Sequence, residues 1–195
     1  MVDRPAGAII PASLAAPLRV GVVLLGAIFT AIAAQFTTTV PFTAVPVALT
    51  PVAVLLTGAA LGPRLGAAAQ VLYVVSGVLG LPVFAPSIAL PPGILRVLGP
   101  TGGYLMAYPL AAFVTGWLSE HGWDRRYVTS LAAMLAGLVV IYLGGVSWLA
   151  IAILHSFSAA VTMGLVPFVV LDVLKVTAAA MILPQAWRLF GTRLG

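Results

Sequence analysis

Between Gly164 and Leu183 the chain reads GLVPFVVLDVLKVTAAAMIL, an apolar stretch whose only charged side chains are Asp172 and Lys175. About 20 mostly apolar residues are enough for a helix to cross the hydrocarbon core of a bilayer. At that depth an ionised side chain is costly unless it is paired or faces a polar cavity. Asp172 and Lys175, at i and i+3, share one helix face and partly neutralise each other. Two readings fit such a pair. It grips a ligand or ion, the default for ionisable groups inside a membrane, or it staples the bundle internally.

The rest of the chain obeys the same constraint. Only 7% of its 195 residues are charged, against about 25% in a soluble domain. That is too few to cover a water-exposed surface, so the chain reads as an integral membrane protein. The absence of cysteine excludes disulfides and thiolate metal sites. The net charge of +5 comes from basic residues scattered at the ends of apolar runs, a pattern of membrane orientation and not of nucleic-acid binding. At the N-terminus, Pro5, Pro11 and Pro17 interrupt any signal-peptide core, which leaves a short tail.

Six spans are expected, giving an all-α six-transmembrane-helix bundle: Val20–Thr37, Val45–Leu61, Leu65–Leu81, Pro100–Ser119, Val128–Trp148 and Val166–Trp187. Residues 20–188 then form the membrane domain, between tails 1–19 and 189–195. The stretch Leu149–Leu165 is apolar but carries His155, Ser156, Ser158 and Thr162, so an interfacial or re-entrant segment is expected there. With both termini cytoplasmic, Arg4, Arg19, Arg64, Arg125, Arg126, Arg188 and Arg193 fall inside and Arg96 alone outside, as the positive-inside rule requires. Asp172, Lys175 and Arg96 then converge on the outer half. The apolar, Pro- and Gly-rich connection between the third and fourth spans, PVFAPSIALPPGILRVLG, is expected to lie over a cavity as a lid. On the first span, Ala27 and Ala31 form a small-residue step that packs within the bundle or docks another membrane protein.

No His-Glu-x-x-His, Gly-x-Ser-x-Gly or Walker-type motif is present, and no metal cluster, paired acids or triad can be assembled from four acids and two isolated histidines. The chain is therefore expected to be neither an enzyme nor an ATPase, and to hold no cofactor or metal. Uphill movement of a solute would draw on an ion gradient or on a partner.

Three runs together resemble a known family. LGPRLGAAAQVLYVVSGVLGLPVF (Leu61–Phe84), GPTGGYL (Gly99–Leu105) and PFVVLDVLK (Pro167–Lys175), with AIFTAIAAQ (Ala27–Gln35) upstream, are similar to the BioY family. These are biotin-binding S components of energy-coupling-factor (ECF) transporters, and the resemblance covers roughly residues 20–188. It implies a six-helix membrane bundle in a prokaryotic plasma membrane that captures biotin from outside. Its implied partners are a membrane coupling protein, with Ala27 and Ala31 in the docking step, and a pair of cytoplasmic ATPases. By position it implies Asp172, Lys175 and Arg96 as binding charges, and a pocket shaped by Thr101, Gly102, Gly103 and Tyr104. The sequence departs from the family after PVF, where APSIALPPGIL replaces a glycine-rich stretch. The expected polar amide is missing there, and Ser87 is the nearest polar candidate.

These residue types suit biotin. Asp172 can accept from the ureido N–H groups. Lys175 or Arg96 can meet either the ureido carbonyl or the tail carboxylate, through charge-assisted bonds. Phe84, Tyr104 and Tyr73 are expected to wall the sulfur ring. An S component for another vitamin, or a non-transporting structural subunit with Asp172–Lys175 as an internal staple, remain the alternatives at this point.

Overall fold

The computed structural model describes residues 16–38, 45, 47–87 and 90–185. Helix α1 (Ala16–Gln35) leads into a two-residue antiparallel pair, β1 (Thr37–Thr38) with β2 (Val47–Ala48), in which Thr37 faces Ala48 and Thr38 faces Val47. Helix α2 (Thr50–Val78) follows, then the short α3 (Leu95–Leu98), α4 (Gly102–Glu120), α5 (Tyr127–Trp148), α6 (Phe157–Gly164) and α7 (Val166–Ala179). The small β pair is a departure from the all-α expectation. Residues 1–15 and 186–195, which include Arg4, Arg188 and Arg193, lie outside the described residues.

Helix α2 holds two of the expected spans. Its helical geometry breaks at Gly62, whose φ of 79° is a left-handed value that a side chain would oppose, and Pro63 follows at once. The chain turns back there. A Cβ on Gly66 would lie 2.7 Å from the Gly58 Cα, an approach impossible along one straight helix, where eight residues span about 12 Å. Gly58 and Gly66 thus let the two arms, 50–61 and 63–78, lie in close contact.

Helix α4 packs against α2 and α5, and more than half of its residues are buried. Four helical segments among the described residues are long and apolar enough to cross a membrane: Ala16–Gln35, Thr50–Val78, Tyr127–Ile153 and Val166–Gln185. The expected fourth span, here α4, is not among them. Its glycines, tyrosines and Pro109 lower its hydropathy, and a helix surrounded by others need not present an apolar face to lipid. By contrast, Leu24, Leu25, Ile28, Phe29 and Ile32 on α1 and Val170, Leu171 and Leu174 on α7 stand exposed. These apolar helices and faces are those of a membrane protein.

The stretch after Trp148 holds no separate helix long enough to cross a membrane. A π-helical turn, Leu149–Ile153, prolongs α5, His155 adopts a positive φ of 50°, and Ser156 caps α6 by accepting from the Ala159 N–H. Eight residues of α6 reach only about 12 Å.

Ala27 is buried, Ala31 is partly buried against the core, and both turn inward on a helix that packs against α2. The outward face of α1 carries the large apolar side chains instead.

Gly58 sits where a Cβ would collide with the Ala112 backbone of α4, whereas a Cβ on Gly21 would meet nothing within 4 Å. Gly58→Val is expected to destabilise the bundle by about 1–3 kcal/mol, seen as a lower melting temperature in detergent, with Gly21→Val near wild type.

Candidate ligand-binding site

A cavity of about 670 Å³, counting its open mouth, lies where α2, α4, α5 and α7 meet the α1–α2 and α2–α3 connections. Six aromatic side chains line it: Tyr73 from α2, Phe84 from the connection, Tyr104 and Tyr108 from α4, Tyr142 from α5 and Phe168 from α7. Tyr73 packs edge-on to Phe84 with ring centroids 5.5 Å apart and lies 6.3 Å from Tyr108, while Tyr104 and Tyr142 meet edge-on at 6.5 Å.

Glycines hold these rings in place. A Cβ on Gly77 would strike the Phe84 ring and one on Gly145 the Tyr104 ring. Tyr104 threads between Gly145 and Gly164, and its hydroxyl donates to the Gly164 carbonyl at 2.7 Å. The GPTGGYL run is read by the same contacts. A Cβ on Gly102 would clash with the Val97 carbonyl, and one on Gly103 with Trp148 and Gly144. Trp148 Nε1 donates to the Gly99 carbonyl at 2.9 Å, and Thr101 Oγ1 to the Arg96 carbonyl at 3.2 Å. The glycines let α4 approach α5 closely, and Tyr104 then enters the cavity.

Asp172 lines the cavity and is 6% exposed. Its Oδ1 accepts from Lys175 Nζ at 2.9 Å and its Oδ2 from the Tyr142 hydroxyl at 2.8 Å. Lys175 also donates to the Ala48 carbonyl of β2 at 3.0 Å, so it stands behind the acid and ties α7 to the α1–α2 connection. The local cost of the buried carboxylate is thereby met from two directions. Each oxygen keeps a further lone pair, and the ammonium a further proton.

Arg96 is arranged in the opposite way. It is 7% exposed and lines the cavity, yet its guanidinium makes no hydrogen bond or ion pair among the described residues. Burial lowers its pKa, and Tyr73 beside it partly opposes that shift. An arginine stays charged under such a shift. The site therefore has a neutralised acid on α7 and, separately, an uncompensated cation on the α2–α4 connection.

Of the residues expected from sequence, Arg96, Asp172, Tyr104, Thr101, Phe84 and Tyr73 meet at this one cavity. Lys175 is a partner of Asp172 and does not line it. Ser87 lies outside it, in an adjoining cavity. Tyr108, Tyr142, Ala48 and Thr50 line the cavity without having been singled out. Tyr142 had a signal, as the one tyrosine inside the apolar run of the fifth span.

The BioY family profile matches residues 12–192. The chain belongs to the BioY family. A probable biotin transporter BioY of Pyrococcus horikoshii is 40% identical over 84% of this chain and 93% of its own. The biotin transporter BioY of Thermotoga maritima is 39% identical over 73% and 81%. A crystal structure of the S-component for biotin from an ECF-type ABC transporter shares the fold, with a TM-score of 0.78 over 90% of this chain and 95% of that one, at 21% identity. BioY membership places this chain among transporter subunits, and the apolar helices agree with that.

Tyr142→Phe removes one of the two donors to Asp172. It is expected to destabilise the unliganded protein by about 1–3 kcal/mol, measured as a fall in melting temperature, with no such fall for the exposed Tyr127→Phe.

Proposed function

We propose that this protein binds biotin in the aromatic cavity and acts as the biotin-specific S component of an ECF transporter. Family membership and the similarity to biotin transporters support the substrate. The observation that carries the binding mode is the buried Arg96 guanidinium, which has no hydrogen-bond or ion-pair partner among the described residues. A cation held this way is suited to an anion brought by the ligand. We assign the biotin carboxylate to Arg96. The ureido group then lies towards Asp172, whose free lone pairs accept its N–H groups, with the remaining proton of Lys175 available to its carbonyl. Tyr73, Phe84, Tyr104 and Tyr142 wall the sulfur ring between the two ends. Of the alternatives, an internal staple accounts for Asp172–Lys175 but leaves Arg96 unexplained.

The finer architecture belongs to the same proposal. The two arms of α2 count as two crossings, and with α1, α4, α5 and α7 they make six, with both termini cytoplasmic and the cavity opening outward. The protein sits in a prokaryotic plasma membrane. A membrane coupling protein and two cytoplasmic ATPases supply the energy. Docking of the coupling protein along the Ala27–Ala31 step of α1 belongs to the same proposal, with Ala31 the less buried of the two.

Titration of the purified full chain with biotin tests the proposal. Wild type is expected to bind without ATP, and other vitamins not to compete. Asp172→Asn and Arg96→Ala should each weaken binding by about 10- to 100-fold, with Lys175→Ala showing a smaller loss. Undiminished binding by both Asp172→Asn and Arg96→Ala contradicts the site, and no binding by folded wild type contradicts the function.

A further inference from the structure

A second cavity, about 520 Å³ with its open mouth, adjoins the first and shares Phe84, Ala85 and Arg96 with it. Its other walls are Leu81, Leu90 and prolines of the α2–α3 connection, with Ser87 and Gln35 as polar members. Gln35 belongs to the last turn of α1. Its Nε2 donates to the Ala31 carbonyl at 3.1 Å and reaches the Val83 carbonyl at 3.4 Å. Its Oε1 accepts no hydrogen bond among the described residues.

The chemistry of these two groups differs from what a carboxylate alone requires. A carboxylate only accepts, and Arg96 meets that need. An acceptor such as Gln35 Oε1 in the next compartment has nothing to receive from a carboxylate. A secondary amide offers both halves: its carbonyl accepts from the guanidinium, and its N–H donates to the glutamine oxygen. Whatever is attached to that nitrogen would continue into the second cavity and out through its mouth.

We infer that the second cavity is a subsite for substituents on the biotin carboxyl group, so that the protein also takes biotin amides such as biotinyl-lysine. The inference rests on the biotin reading above and on the placement of the tail at Arg96. Replacing the carboxylate by a neutral amide weakens the bond to Arg96, whereas the ureido and ring contacts stay the same. Biotinyl-lysine should therefore bind about tenfold more weakly than biotin and compete with it for one site.

Titrating the purified full chain with both ligands tests this, using Leu81→Trp and Leu90→Trp to fill the second cavity without touching the first. Gln35→Leu removes the acceptor. Wild type should bind both ligands. The tryptophan variants should keep biotin affinity within about threefold and lose at least about tenfold for biotinyl-lysine, with Gln35→Leu showing the same selectivity to a smaller degree. The subsite is refuted if wild type binds biotin but not biotinyl-lysine, or if the variants shift both ligands equally or shift neither. Failure of biotin itself to bind removes the function proposed above, and this inference with it.

Discussion

A charge buried in a lipid-embedded bundle has to be neutralised on the spot, and the site follows from how this chain does so once and leaves it undone once. Asp172 receives an ammonium from its own helix and a phenol from α5. Lys175 carries the same cluster on to the Ala48 carbonyl. Three elements thereby converge on one carboxylate. Arg96 has no such counterpart among the described residues, although it is as deeply buried. The first arrangement is self-sufficient and can add a neutral polar group. The second has no anion opposite it among the described residues.

Small residues make that geometry available. The α2 hairpin closes because Gly58 and Gly66 let its arms touch, and α4 fits beside it because Gly116 leaves room for the Gly58 carbonyl, which lies 2.6 Å from where a Cβ would stand. At the cavity the same device sets ring positions, through Gly77 against Phe84 and Gly145 against Tyr104. An apolar bundle in lipid gains little from hydrophobic burial between helices, so close packing of this kind carries much of the specificity. The aromatic wall is held by backbone contact on one side and by neighbouring rings on the other.

Much of this was legible in the sequence, for identifiable reasons. The i, i+3 spacing put Asp172 and Lys175 together, and the Gly62-Pro63 dipeptide separated two spans that form the two arms of the α2 hairpin. Arg96 stood out as the sole arginine on the expected outer side. Other parts were hidden. Tyr108 and Tyr142 look like ordinary members of apolar helices until the facing of α4 and α5 is known. Gln35 was a polar residue at a helix end, and its place at the second cavity depends on a connection some fifty residues later. Spacing marked Ala27 and Ala31 as a close-packing step without saying which neighbour meets it, and α1 packs on α2.

The division of labour between a paired acid and an unpaired cation makes the polarity of the bound ligand the central claim. A structure of the protein with biotin bound measures it directly. The account predicts the carboxylate within hydrogen-bonding distance of the Arg96 guanidinium and the ureido ring against Asp172. A ligand bound the other way round, or one that leaves Arg96 without an anion, would contradict it.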